Sequence, residues 1–163
     1  MAKKINYSDL DMFRKIFFSS KIGCTFSCFD LLHSGHCLFL EDCRKNCDIM
    51  IVGLQTDPTI DRPEKNKPIL SFEEREILVK SNRYIDFYFT YDTEKSLLDA
   101  LKVLEPNVRF LGTDYINKNF TGCELDIPIG FHDRYLHNYS TTGLRKRIYE
   151  IESDRLSKKP KPS

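Results

Sequence analysis

The stretch KIGCTFSCFDLLHSGH, residues 21–36, carries an apolar segment directly into two histidines three positions apart, and it decides the fold. Residues 21–26 are predicted to form a strand, and a helix should run from Ser34 to about Asn46. The alternation of strands and helices then continues along the chain. Further strands are predicted at 48–54, 84–91, 108–112 and 127–131, and further helices at 71–81, 94–104 and 141–151.

This alternation predicts an α/β fold: a Rossmann-like parallel sheet of about five strands flanked by helices. The chain has 163 residues, which suits one domain. We divide it into an N-terminal helical extension at 1–20, in which a helix is predicted at 7–18, a core domain at 21–152 and a disordered basic tail at 153–163. Sheets of this class bind ligands at the carboxyl ends of their strands, near the point where strand order reverses. The histidine motif follows the first core strand, so it is expected there.

Composition restricts the function classes. Hydrophobic residues make up 40% and charged residues 30%, as in a soluble globular protein, and the formal net charge of +1 gives no general attraction to nucleic acid. Neither a bilayer span nor an apolar secretory signal is present in the sequence, so a cytoplasmic location is expected. The six cysteines are then expected to be reduced rather than disulfide-bonded.

The histidine motif has the chemistry of an anion site. A strand that turns into a helix presents unpaired backbone N–H groups and the positive end of the helix dipole. Gly35 lets a phosphate approach the backbone closely, and His33 and His36 can each donate a hydrogen bond to it. A single histidine at a helix start is more often structural, but the strand, the turn and the second histidine together favour phosphate binding.

Five further motifs follow in order: Gln55-Thr56-Asp57, Ser71-Phe72-Glu73-Glu74-Arg75, Arg83-Tyr84-Ile85-Asp86, Gly112-Thr113-Asp114-Tyr115 and Ser140-Thr141-Thr142. Together with FDLLHSGH, they resemble the cytidylyltransferase family of the nucleotidyltransferase superfamily. The resemblance extends from about Lys21 to Ile151 and is greatest to the glycerol-3-phosphate cytidylyltransferases. It implies transfer of CMP from CTP to a phosphorylated alcohol, with release of pyrophosphate.

The resemblance also implies roles for individual residues. His33 and His36 would donate to the triphosphate in the transition state. Lys65 and Lys67 lie where the family places a lysine facing the acceptor phosphate; the alignment leaves both open, and we assign Lys65 to catalysis and Lys67, with Lys95, to acceptor binding. Arg83 would support the triphosphate or only pair with Asp86. The expected nucleotide-binding residues are Cys28, Phe29, Ser34, Gly35, Arg83, Asp114, Arg134, Ser140, Thr141 and Thr142.

Two features depart from the family pattern. Ser27 and Cys28 stand where the family commonly has glycine and threonine, which weakens the phosphate cradle. The match of Arg134 to the family's nucleotide-binding arginine needs a gap of one residue. Mg²⁺ would arrive with the nucleotide phosphates rather than in a protein cage, and the resemblance implies a homodimer.

Three alternatives stay open. The first is an adenylyltransferase acting on a sugar phosphate or a coenzyme precursor. The second, suggested by Ser27 and Cys28, is a module that binds nucleotide without catalysis. The third is a metal site, for which the candidate ligands are His33, His36, Cys37, Cys43 and Cys47. The cysteines lack a C-x₂-C pair, and Cys43 and Cys47 are predicted to lie on the buried face of their helix.

Overall fold

The computed structural model describes residues 1–158. Six strands form one sheet in which all neighbours are parallel: β1 Lys3–Lys4, β2 Ile22–Ser27, β3 Ile49–Gln55, β4 Phe87–Tyr91, β5 Val108–Gly112 and β6 Ile129–His132. Their spatial order is β1-β4-β3-β2-β5-β6. The strand order therefore reverses between β2 and β5. The predicted α/β class is confirmed, with six strands rather than about five.

The described residues form five α-helices: α1 Leu10–Ile16, α2 Ser34–Lys45, α3 Phe72–Ser81, α4 Glu94–Leu104 and α5 Thr141–Ser157. The first four cover the two faces of the sheet. Met50, Val52 and Leu54 of β3 pack in a cluster with residues of α2 and α3. Ile49 and Ile51 pack in a second cluster with residues of α1 and α4. Successive strand residues point to opposite faces, so the fully buried β3 forms the centre of both layers.

The N-terminal segment is part of the sheet rather than an appendage. The backbone N–H of Ala2 donates to the Lys80 carbonyl at 2.8 Å, and that of Lys3 donates to the Asp86 carbonyl at 2.9 Å, which places β1 beside β4. Leu10 and Phe13 of α1 are buried in the core. The helix predicted over residues 7–18 is correspondingly shorter, a 3₁₀ turn at Tyr7–Asp9 followed by α1.

The last helix is longer than predicted. It continues past Ile151 to Ser157, so residues 153–157 are helical rather than part of a disordered tail. The reason is local: Lys146 pairs with Glu150 at 3.8 Å, and Lys158 pairs with Asp154 at 2.6 Å. Such pairs one helical turn apart support a helix that buries little apolar surface. Residues 159–163 of the predicted tail lie outside the described residues.

Arg75, the last residue of the S-F-E-E-R motif, connects three segments at the carboxyl edge of the sheet. It is 2% exposed. Its Nη1 donates to the carbonyls of Cys28 at 2.8 Å and Gln55 at 2.7 Å, its Nη2 donates to the Thr56 carbonyl, and its Nε donates to the Leu70 carbonyl at 3.3 Å. The ends of β2 and β3 and the approach to α3 are thereby held around one guanidinium.

We expect Arg75→Lys to lower the free energy of unfolding by about 3 kcal/mol, because an ammonium cannot reach all four carbonyls and leaves buried acceptors unpaired. Urea denaturation would measure the change. Arg155→Lys is the matched control: Arg155 is an exposed arginine of α5 that pairs with Glu152, and the exchange should change stability by less than about 0.5 kcal/mol. Equal stability of the two variants would contradict the assigned role of Arg75.

Candidate active site

A cleft of about 780 Å³ lies at the carboxyl ends of β2 and β5, where the strand order reverses. One wall is the histidine motif between β2 and α2. The opposite wall comes from the loop after β3 and the start of α4, and the remaining wall from the segments that follow β5 and β6. A cleft of this size accommodates a nucleotide and a second small molecule.

The two motif histidines are held by backbone groups in one fixed tautomer. His33 caps α2, and its Nδ1 accepts the Gly35 N–H at 3.0 Å. The Nδ1 of His36 accepts the backbone N–H of His33 at 3.3 Å. Since both Nδ1 atoms are acceptors, the proton of each neutral ring is on Nε2. The ring centroids are 4.1 Å apart. The motif therefore offers two adjacent Nε2–H donors.

Both rings are neutral at physiological pH. Burial, and then the proximity of the His33 ring and of the Arg134 guanidinium, lower the pKa of His36 to about 3. Burial also lowers the pKa of His33, and the positive charge of Arg134 adds to the effect. Neutral imidazoles donate one hydrogen bond each without a buried charge to desolvate. A bound polyphosphate would raise both pKa values.

The starts of α2 and α5 meet in the cleft. His33 Nε2 lies 3.3 Å from Thr141 Oγ1, at the first residue of α5. The approach is close because residue 35 has no side chain: a Cβ there would lie 2.8 Å from the Tyr139 carbonyl oxygen. Ser140 caps α5 by accepting the Gly143 N–H at 3.0 Å. Two helix N-termini thus direct their dipoles and free N–H groups at one place, which suits an extended anion.

Asp30 fixes the motif loop from beneath. Its side chain is buried and accepts the backbone N–H groups of Ile69 and Leu70, each at 3.0 Å, and Nη2 of Arg145 at 2.7 Å. Burial raises the pKa of Asp30, but these bonds outweigh it and leave the pKa below its usual value. Neither Asp30 nor Arg145 was assigned a role from the sequence. The available signal was a carboxylate in an otherwise apolar loop, where burial requires partners.

Ser27 and Cys28 are accommodated at the end of β2. The Ser27 hydroxyl accepts the Phe29 N–H at 3.2 Å, and the Cys28 carbonyl accepts from Arg75. Phe29 has a positive φ of 47°, a conformation in which a local side-chain hydrogen bond is useful. The residues that replace the family's glycine and threonine are therefore part of the turn that leads to the histidines.

Most of the predicted site residues line the cleft: His33, His36, Lys65, Cys28, Phe29, Gly35, Asp114, Arg134 and Thr141. Asp114 and Arg134 form an ion pair at 3.1 Å, which links the turn after β5 to the segment before α5. Of the two lysines that the alignment left open, Lys65 is in the cleft.

Two of the predicted residues, Arg83 and Lys95, lie away from the cleft. Arg83 precedes β4 and is therefore at the amino-terminal edge of the sheet, where it stacks on Tyr84. Its alternative partner, Asp86, pairs instead with Arg44 at 3.1 Å. Lys95 is on the exposed face of α4 and pairs with Asp99 at 2.7 Å.

Lys67 is exposed and does not line the cleft, because its loop turns there toward Asp30 and its own carbonyl accepts from Arg145 at 3.4 Å. Ser34 faces a shallow groove outside α2. Ser140 and Thr142 flank Thr141 but do not line the cleft themselves. The hydroxyl of Ser140 is used for the helix cap, which leaves the backbone of this segment as its contribution.

Two cleft histidines were missed in the sequence. His132 is buried at the end of β6, and its Nδ1 lies 2.9 Å from the carboxylate of Asp42 on α2. Its Nε2 lies 3.5 Å from Nε2 of His137, whose Nδ1 accepts the Tyr139 N–H at 3.3 Å. A row of hydrogen bonds thus leads from α2 to the segment before α5. No spacing in the sequence links Asp42 to these residues, because they meet only through the fold.

The residues of the metal-site alternative do not converge. Cys43 and Cys47 are buried in the core beneath α2, as predicted, and burial raises the pKa of Cys47 to about 11. Within residues 1–158, no three His, Cys, Asp or Glu side chains are arranged to hold a metal ion. In the same part of the chain, no helix has the length and apolar character needed to cross a membrane.

The protein-family model described as cytidylyltransferase-like matches residues 24–147 of the chain. The chain is 33% identical over 135 residues to the bifunctional protein HldE of Helicobacter pylori (strain HPAG1), covering 82% of this chain and 29% of that protein. It is 30% identical over 135 residues to HldE of Campylobacter concisus (strain 13826), with 82% and 28% covered. The chain therefore spans less than a third of the length of these relatives.

Solved structures share the fold. A pantoate-beta-alanine ligase from Francisella tularensis, in complex with beta-gamma ATP and beta-alanine, has a TM-score of 0.60 at 17% identity, covering 94% of this chain and 80% of its own. A lipopolysaccharide core biosynthesis protein from Thermoplasma volcanium GSS1 has a TM-score of 0.56 at 21% identity, covering 70% and 95%. At these identities the likeness is one of fold.

We expect His36→Gln to reduce the loss of stability in mild acid. Below pH 6.5 the unfolded chain binds a proton at His36 that the native ring, with its pKa near 3, does not bind, so acid favours unfolding. Between pH 7 and pH 5 this residue should remove about 2 kcal/mol from the wild type. Glutamine keeps an acceptor for the His33 N–H but does not titrate. Urea denaturation at both pH values measures the difference, and identical pH dependence in the two proteins would contradict it.

Proposed function

The chain belongs to the cytidylyltransferase-like family of nucleotidyltransferases, and on that basis we propose that it transfers a nucleoside monophosphate from a nucleoside triphosphate to a phosphorylated sugar or polyol, releasing pyrophosphate. The observation that carries the proposal is the pair of Nε2–H donors on His33 and His36, placed where the starts of α2 and α5 converge. That arrangement suits a triphosphate better than it suits a single small anion.

The reaction needs no activated side-chain nucleophile. An oxygen of the acceptor phosphate attacks the α-phosphorus of the nucleotide, the bond to the β-phosphate breaks, and pyrophosphate leaves. His33 and His36 donate to the phosphate oxygens on which negative charge builds. The start of α5 and the Arg134 guanidinium hold the leaving phosphates, while Lys65 draws in the acceptor phosphate. Catalysis is then positioning and charge stabilisation.

The donor we propose is CTP, supported by the motif resemblance and the family description. ATP is the second candidate, supported by the ATP ligand of the structurally similar pantoate-beta-alanine ligase. For the acceptor, glycerol 3-phosphate follows from the motifs. A sugar phosphate is favoured by the similarity to a lipopolysaccharide core biosynthesis protein.

Mg²⁺ is proposed to bind with the nucleotide. The described residues offer no three-residue cage, and two of the carboxylates that line the cleft are already engaged, Asp114 by Arg134 and Glu94 by Arg62. The ion would therefore be held mainly by phosphate oxygens and water, and it would supply charge neutralisation of the phosphates. The homodimer implied by the resemblance stays a prediction.

The direct test is a screen for pyrophosphate release that crosses ATP, CTP, GTP and UTP with glycerol 3-phosphate, ribitol phosphate, ethanolamine phosphate, choline phosphate and hexose 1-phosphates. We expect release with one donor, CTP or ATP, and only in the presence of a phosphorylated acceptor. Nucleotide binding without release for any combination would favour the non-catalytic module and overturn the proposal.

Within the productive combination, His33→Ala and His36→Ala should each lower turnover on the order of 10²–10³-fold, because each removes one donor to the developing charge. Circular dichroism and thermal unfolding would verify that both variants fold. Glu41→Gln is the control: Glu41 is on α2 but outside the cleft and pairs with Lys45, so turnover should stay at the wild-type level. Wild-type turnover in both histidine variants would refute their assignment.

A further inference from the structure

A second charged region of the cleft is not used by the proposed chemistry. Arg109, the second residue of β5, lines the cleft and is only 5% exposed. Its guanidinium lies between the rings of Phe26 and Phe120, at 5.4 Å and 5.2 Å from their centroids, and its Nη1 donates to the Thr121 carbonyl. Within residues 1–158, its Nε has no hydrogen-bond partner.

A buried cation of this kind is costly unless it is compensated. Among the described residues, Arg109 forms no ion pair within 4.0 Å. Contact with two aromatic faces offsets part of the desolvation but leaves N–H donors unused. Burial accordingly lowers the pKa of Arg109. A bound anion or strong acceptor would supply the partner that the described residues do not provide for its Nε.

A second arginine faces the same space. Arg62, in the loop after β3, donates through Nη2 to Gln55 Oε1 at 2.7 Å and pairs with Glu94 Oε1 at 2.8 Å. Its buried Nε has no hydrogen-bond partner in the described part of the chain, and the Asp61 carboxylate lies 3.9 Å from it. The other carboxylate oxygen of Glu94 accepts the Thr121 hydroxyl. Glu94 therefore ties the segment of Arg62 to the segment of Arg109. We call Arg62, Glu94, Arg109 and Thr121 the arginine subsite.

The arginine subsite and the histidines lie on different sides of the sheet edge. Arg109 pairs in register with Cys24, whose side chain packs in the cluster that α1 and α4 cover. The helix α2, which carries the histidines, packs on the other face. A ligand group at Arg109 is therefore distinct from the phosphates at His33 and His36, although both lie in one cleft.

We propose that the arginine subsite binds a carboxylate of the acceptor, so that the acceptor is a sugar or polyol phosphate carrying a second acidic group in addition to the phosphate that attacks. This inference rests on the proposed function, because the attacking phosphate must lie beside the histidines. The carboxylate would accept the Nε–H groups of Arg109 and Arg62, which lack hydrogen-bond partners within the described residues, and would balance the charge of Arg109. The Glu94 carboxylate holds Arg62 directly and is linked to Arg109 through Thr121.

The test uses two pairs of probes in which one hydroxymethyl group is replaced by a carboxylate: glycerol 3-phosphate against 3-phosphoglycerate, and glucose 1-phosphate against glucuronic acid 1-phosphate. Calorimetric titration of the whole chain without nucleotide measures binding. In at least one pair, the carboxylated probe should bind about tenfold more tightly to the wild type. Arg109→Met and Arg62→Met should each remove that preference and leave the Kd of the uncarboxylated probe within about twofold.

Arg155→Met, on an exposed arginine of α5, is the matched control and should keep the preference. Because Arg62 lies in a loop, its variant tests the idea even where Arg109→Met fails to fold. Equal binding of both members in both pairs, or a preference that survives either cleft variant, overturns the proposal.

Pyrophosphate release with the same probes separates the two ideas. Equally fast pyrophosphate release with the uncarboxylated probes would contradict the proposed role of the arginine subsite and leave the proposed function unaffected. A binding preference for the carboxylated probe that depends on Arg109, without pyrophosphate release from any nucleoside triphosphate, would support the arginine subsite and contradict the proposed function.

Discussion

The site depends on a single buried guanidinium. Arg75 holds four carbonyls from the end of β2, the end of β3 and the approach to α3. The histidine loop departs from one of these points and the Arg62 loop from another, so their separation across the cleft is set by one rigid, planar group. Within residues 1–158, four backbone carbonyls, and no carboxylate, satisfy the charge of Arg75.

The spacing of apolar residues was sufficient to predict the sheet and its helices, because strands buried on both faces and amphipathic helices each have a characteristic apolar pattern. Hydrophobic periodicity did not predict the elements that form for reasons other than the burial of apolar side chains. The edge strand β1 consists of Lys3 and Lys4, whose pairing with β4 is made by backbone atoms alone. The end of α5 was missed because ion pairs on an exposed helix give no apolar pattern.

The site was predictable to the extent that its residues are adjacent in the chain. His33, Gly35 and His36 form one local motif, so their common position at the cleft follows from their spacing and helical position. Arg83 and Lys95 were misplaced because a motif does not say which edge of the sheet or which face of a helix its charge occupies. Arg109 and His132 come from strands remote in sequence, and only the fold brings them to the cleft.

The loop before the histidines has one more property. Phe29 and Leu31, on either side of Asp30, both have φ of 47°, in the left-handed region that ordinary side chains avoid. Each such residue raises the energy of the native backbone by about 1 kcal/mol or more. The backbone of the turn is thus strained. The hydrogen bonds of Asp30 and Ser27 hold it in this conformation, and the orientation of the two imidazoles depends on it. Substitutions that relieved the backbone strain of this turn would increase stability but alter the orientation of the imidazoles. Evolution is therefore expected to keep the strained conformation.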